Sequence, residues 1–84
     1  MAQVGIRYWA SVRAAAGVER DEVAAGTVAE ALDAARRLHP GPEFARVLGL
    51  CSLLRNGVRV SDEQRHEPLT GDVEIEALPP FAGG

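Results

Sequence analysis

The residues with the clearest chemical meaning stand at the end of the chain, Leu78-Pro79-Pro80-Phe81-Ala82-Gly83-Gly84. Gly83 and Gly84 present a carboxylate on a peptide without Cβ atoms. Glycine alone lets a backbone approach another surface that closely, so such a tail can thread a channel that excludes side chains. Pro79 and Pro80 favour an extended polyproline stem. Fully extended, residues 79–84 reach at most about 20 Å. Leu78 and Phe81 are the expected apolar anchors of that tail, and Ala82 and Gly83 its thin threading segment. A proline-stiffened apolar stem has no use in a core that ends before it.

Other chemistry-bearing residues form no comparable pattern. Cys51 leads into Leu53-Leu54 and reads as a buried core thiol. His39 and His66 lie far apart, with no third ligand at metal spacing, so no metal site is expected. Asp62, Glu63 and Glu67 read as a solvated loop rather than an acid–base pair. Arg36 and Arg37 suit a helix C-terminus, where positive charge opposes the helix dipole. No Ser-His-Asp set and no glycine-rich phosphate loop occurs.

The composition narrows the classes further. A chain of 84 residues buries only about 60% of its unfolded surface on folding, enough for one modest core. A large multidomain enzyme is excluded. Twelve acidic residues oppose nine basic ones, giving a net charge of −3. All the basic residues are Arg, so the chain offers no side-chain amine to its own tail. Nucleic-acid binding needs a dense cationic surface and is not expected. An acidic surface would suit a partner with a basic docking face. One Cys cannot form an internal disulfide, no apolar run approaches the about 20 residues of a membrane span, and Met1–Gly5 shows no signal-peptide pattern. The expectation is a cytoplasmic protein in a reducing compartment.

The elements that must position the tail are read from periodicity. Val4, Ile6 and Tyr8 alternate with polar or small residues, which predicts a strand over 3–9. Residues 10–16 favour a short helix ended by Gly17, and 18–24 a charged edge strand. Thr27 and Glu30 form a capping box. Val28, Ala31, Leu32, Ala35 and Leu38 then make one apolar helical stripe, closed by His39-Pro40-Gly41-Pro42. Pro42 can open a second helix that buries Phe44, Val47 and Leu48. Residues 51–55 and 58–60 flank Asn56-Gly57, a strong hairpin signal. A loop over 61–68 leads to a last strand at 73–77, stopped by Pro79-Pro80. One main helix over a mixed sheet of four or five strands is the compact α+β solution. This order is that of the β-grasp, or ubiquitin-like, fold, expected over residues 1–78 with a flexible tail at 79–84.

Several segments resemble one family. Arg7-Tyr8-Trp9-Ala10-Ser11-Val12-Arg13 with Ala15-Ala16-Gly17 is similar to the first strand and turn of the small subunit of molybdopterin synthase. Asn56-Gly57 and Pro68-Leu69-Thr70-Gly71-Asp72-Val73 resemble its hairpin and final turn, and residues 78–84 its C-terminal signature. Gly71-Asp72 is shorter than the family's usual Asp-Gly-Asp, and Arg55 stands where many members are apolar. Thiamine-pathway sulfur carriers share the fold and the Gly-Gly but usually lack the Pro-Pro.

The resemblance implies a mechanism. An ATP-dependent enzyme of the ubiquitin-activating type adenylates the Gly84 carboxylate, and a sulfur donor displaces AMP to leave a thiocarboxylate. The tail, Leu78 through Gly83, then enters the large catalytic subunit, in an expected heterotetramer. There the sulfur attacks a cyclic pyranopterin precursor to build its dithiolene. The chain would hold no cofactor; ATP belongs to the activating partner, and neither nucleic acid nor membrane is involved. Two alternatives stay open: a sulfur carrier for another pathway or a protein modifier, and a non-covalent β-grasp binding module.

Overall fold

The computed structural model describes residues 1–80 of the 84. Strand β1 (Ala2–Tyr8) buries Val4, Ile6 and Tyr8 and lies at the interior of the sheet. Helix α1 (Ala10–Ala16) comes after it and ends at Gly17, whose φ of 77° is left-handed. Strand β2 (Arg20–Ala25), helix α2 (Val28–Leu38), helix α3 (Pro42–Leu50) and strands β3 (Ser52–Arg55) and β4 (Val58–Arg59) come next. A short 3-10 turn at Gln64–His66 precedes strand β5 (Val73–Leu78). The sheet order is β2-β1-β5-β3-β4. β1 and β5 are parallel, the other pairs antiparallel. This is the mixed five-stranded β-grasp sheet that the element order implies. Among the described residues, no helix is long and apolar enough to cross a membrane.

The inner sheet face presents Val4, Ile6, Leu53, Ile75 and Ala77. Against it pack Val28, Ala31, Leu32 and Ala35 of α2 and Phe44, Val47 and Leu48 of α3, all buried. Asn56 and Gly57 take φ values of 53° and 78°. Both central residues of the hairpin are thus left-handed, as a type I′ turn requires.

Four local expectations are corrected. Trp9 is outside β1 and caps α1 instead, because the chain turns at Ala10, whose φ is 49°. β2 starts at Arg20 rather than Val18, which is exposed. β4 stops at Arg59, although Val60 is buried and its N–H still donates to the Leu53 carbonyl. Leu38 is 54% exposed and is not part of the α2 core stripe. At about 100° per residue, position 39 rather than 38 falls near the centre of the stripe set by Val28, Leu32 and Ala35. His39 therefore turns inward where Leu38 does not.

The capping box is also displaced by one residue. Thr27 Oγ1 accepts from the Glu30 N–H at 3.1 Å, as expected. Glu30 Oε1 accepts from Gly26 N–H at 2.9 Å, not from Thr27. The Glu30 side chain thus ties the β2–α2 connection to the first helical turn.

Candidate functional site

The tail root is the end of β5. Ala77 is fully buried and pairs in register with Tyr8 on β1 and Leu53 on β3. Leu78 pairs with Ser52 and is half-buried. Pro79 is buried and Pro80 exposed, so packing extends one residue past Leu78, into the segment expected as tail. The reason is local: β5 is held on both sides by β1 and β3, and the proline ring comes next without needing a ladder donor. Phe81, Ala82, Gly83 and Gly84, the residues expected to thread and react, lie outside the described residues.

Trp9 stands beside this root and carries a role the sequence patterns did not single out. Its backbone N–H donates to the Ala77 carbonyl at 3.3 Å, and its indole Nε1–H donates to Glu76 at 3.0 Å. The ring is 39% exposed. The available signal was its place directly after an alternating strand, followed by a residue that turns the chain.

The outer sheet face toward the start of β5 is charged and internally paired. Arg20 Nε and Nη2 each donate to a Glu74 carboxylate oxygen at 2.9 Å, and Nη2 also reaches Glu22 at 3.1 Å. The hydrogen bonds that Arg20 donates hold the Glu74 carboxyl below the usual range, and donating to Glu74 and Glu22 holds Arg20 more firmly protonated.

A second polar cluster lies beneath the root. Asp21 Oδ2 accepts from Tyr8 Oη at 2.7 Å and meets His39 Nε2 at 2.5 Å. Phe44 packs edge-on to Tyr8 and tilted against His39. Burial, then the bond to Asp21, pushes the Tyr8 phenol well above its ordinary range. This joins β1, β2, α2 and α3 at one point. His39 therefore has a structural partner, while His66 is exposed on the 3-10 turn. Among the described residues no group of three His, Cys, Asp or Glu could hold a metal.

Cys51 is buried, and its Sγ donates to the Val47 carbonyl at 3.3 Å. Burial pushes the thiol up to about 11, against a smaller opposing effect of Arg65. It is a protonated core thiol at neutral pH, not a nucleophile. Asp62, Glu63 and Glu67 are exposed. Arg36 pairs with Asp33 on its own helix at 3.1 Å, and Arg37 is exposed.

The domain thus has no catalytic constellation among its described residues. What it offers is a rigid β-grasp body with a proline-led segment leaving its last, interior strand. That arrangement defines the ubiquitin-fold carriers. The chain belongs to the ThiS family of such sulfur carriers, whose model matches residues 6–84. Among solved structures it is similar to small archaeal modifier protein 1 from Methanosarcina acetivorans, at 25% identity and a TM-score of 0.82, covering 100% of this chain and 98% of that one. Small archaeal modifier protein 1 from Haloferax volcanii matches at 26% identity and a TM-score of 0.77, covering 96% and 100%. A likeness of fold extends to a chain of the Helicobacter pylori complex of subunits 1 and 2 of molybdopterin-converting factor. There the identity is 22%, the TM-score 0.67 and the coverage 98% and 99%. No curated protein is close enough to count as a match.

Proposed function

We propose that this protein is the sulfur carrier of a molybdopterin synthase and delivers sulfur from its C-terminal Gly84. An ATP-dependent partner adenylates the carboxylate, releasing pyrophosphate. A sulfur donor displaces AMP, and the resulting thiocarboxylate attacks the cyclic pyranopterin precursor inside a large catalytic subunit. A thiocarboxylate is ionised at neutral pH and carries a soft nucleophilic sulfur. This chain supplies that atom and its delivery arm; the acid–base and nucleotide chemistry belongs to its partners.

The observation that carries the reading is the exit of the chain at Pro79-Pro80. β5 is clamped between β1 and β3 up to Ala77, Leu78 still pairs with Ser52 on β3, Pro79 is buried, and Pro80 is exposed. A stem stiffened at that point lowers the entropy lost when a tail enters a channel. The Pro-Pro before the Gly-Gly favours the molybdopterin pathway over the thiamine pathway. The Helicobacter pylori subunit complex, alike in fold, supports a large subunit as partner.

A second reading is protein modification, favoured by the likeness to the archaeal modifier proteins. The two diverge in the acceptor, a pyranopterin or a lysine amine. Intact-mass measurement of the protein from its native cell tests both. Replacement of one oxygen by sulfur on the free chain supports the carrier. Isopeptide-linked adducts without any sulfur-bearing form support the modifier.

A further inference from the structure

A cleft lies at the other end of the sheet from the tail root. β3 and β5 are antiparallel, so Ser52 lies opposite Leu78 while Arg55 lies opposite Ile75, toward the start of β5. The cleft encloses about 110 Å³ between the β3–β4 hairpin and the loop that carries Gln64 and Leu69. Val28, Val58, Val60, Pro68 and Leu69 supply its apolar lining. The Leu69 N–H donates to the Gly26 carbonyl at 2.9 Å, which fixes that wall to the start of α2.

The hairpin wall carries two cations. Arg55 and Arg59 both line the cleft and are exposed. Among the described residues neither lies within salt-bridge distance of a carboxylate. Most other Arg residues of this acidic protein are paired: Arg13, Arg20, Arg36 and Arg46 each have a carboxylate within 3.1 Å. Glu67 belongs to the opposite wall. Val58, at the lip, is 68% exposed. β4 is also the last strand of the sheet, so its outer edge has no partner strand among the described residues.

We infer that this cleft docks an acidic segment of a partner protein, which seats one aliphatic side chain between Val28, Val60 and Leu69 and sets flanking carboxylates on Arg55 and Arg59. Size excludes a nucleotide or a cofactor, since pockets for such ligands are roughly 300–1,000 Å³. It matches a single branched side chain, the usual form of an interface anchor. Unpaired guanidinium groups are forks for carboxylates and do not suit a basic or purely apolar partner. An extended segment beside an open strand edge also finds main-chain partners. Because the cleft is remote from Leu78, its occupant leaves the tail free. The inference stands whether or not the tail carries sulfur.

The test is a ¹⁵N-labelled titration of the full chain with the peptide acetyl-Asp-Glu-Leu-Glu-Asp-amide. Saturable shifts are expected at Val28, Val58, Val60 and Leu69. Changing the central Leu to Ser, or using the Arg55→Gln/Arg59→Gln protein, should weaken binding about tenfold or more, a difference of about 1.4 kcal/mol. Both arginines are exposed, and circular dichroism checks that the variant keeps its fold. Three results would overturn the proposal: no saturable shift at those residues up to millimolar peptide, equal binding by the double variant, or the same shifts from inorganic phosphate alone.

Discussion

Arg20 on β2 reaches across β1 to grip Glu74 on β5, and it passes over Gly5. Gly5 lies in register with Glu22 on one side and Glu74 on the other. A Cβ on Gly5 would overlap both Glu74 Oε1 and Arg20 Nη2. Gly5 is thus the gap that lets one guanidinium staple three strands. The clashing atoms are side-chain ends, so an added methyl would displace the ion pair rather than the backbone. Gly5→Ala should cost about 1 kcal/mol in the wild type, and should be neutral or stabilising in an Arg20→Ala background. A denaturant double-mutant cycle checks this; equal costs in both backgrounds would show that the ion pair does not need the gap.

The same pair sets an acid dependence. The Glu74 carboxyl is lowered in the folded state, mainly by its hydrogen bonds to Arg20. A group lowered on folding contributes stability above its unfolded pKa and loses it as pH falls through the folded value. Its side chain is 47% exposed, so the effect is about 1 kcal/mol at most. Melting curves from pH 7 down to pH 3 should fall less steeply for Glu74→Gln than for the wild type.

Thr27→Ala removes the acceptor for the Glu30 N–H and should cost about 1 kcal/mol. Thermal melts measure that loss. Activation of the tail should persist wherever the variant is folded; a folded Thr27→Ala protein that is not activated would make the helix start a docking element.

Tyr8→Phe keeps the ring packed on Phe44 but takes one donor from Asp21. A hydrogen bond to a charged group is worth roughly 1.5–3 kcal/mol. The loss should appear in equilibrium unfolding. Full stability in Tyr8→Phe would show that His39 alone holds Asp21.

Much of this architecture was legible in the sequence because its signals are local. Alternation marked β1 and β5, the Thr27 hydroxyl marked a helix start, and Asn56-Gly57 marked a turn with two left-handed residues. Register was not legible, since pairing across the sheet depends on residues far apart in the chain. Hence Gly5 looked like an ordinary polar-face position, and its contact with Arg20 and Glu74 emerged only with the parallel β1–β5 pairing. His39 looked like a helix stop because hydropathy favours Leu38, whereas helical phase favours position 39. The tail was legible as composition: two prolines, one aromatic and two glycines. Its point of exit was not, because composition does not show that Pro79 is buried in the folded chain.

Phe81→Ala should weaken binding to the large subunit while leaving the melting temperature nearly unchanged. Interface aromatics commonly contribute about 2 kcal/mol or more. Calorimetric titration and thermal melting separate the two effects; a large stability loss with unchanged affinity would make Phe81 a core residue.

The central claim is that Gly84 is the reacting residue. Deleting it, or adding one residue after it, should leave the circular dichroism spectrum intact while moving the reactive carbon by about 3.5 Å. A misplacement of about 1 Å already costs about a hundredfold in rate at a reacting centre. Reconstituted sulfur transfer to the pyranopterin precursor is the direct measurement. No productive transfer is expected from the chain lacking Gly84, and transfer at the wild-type rate would contradict the role given to this residue.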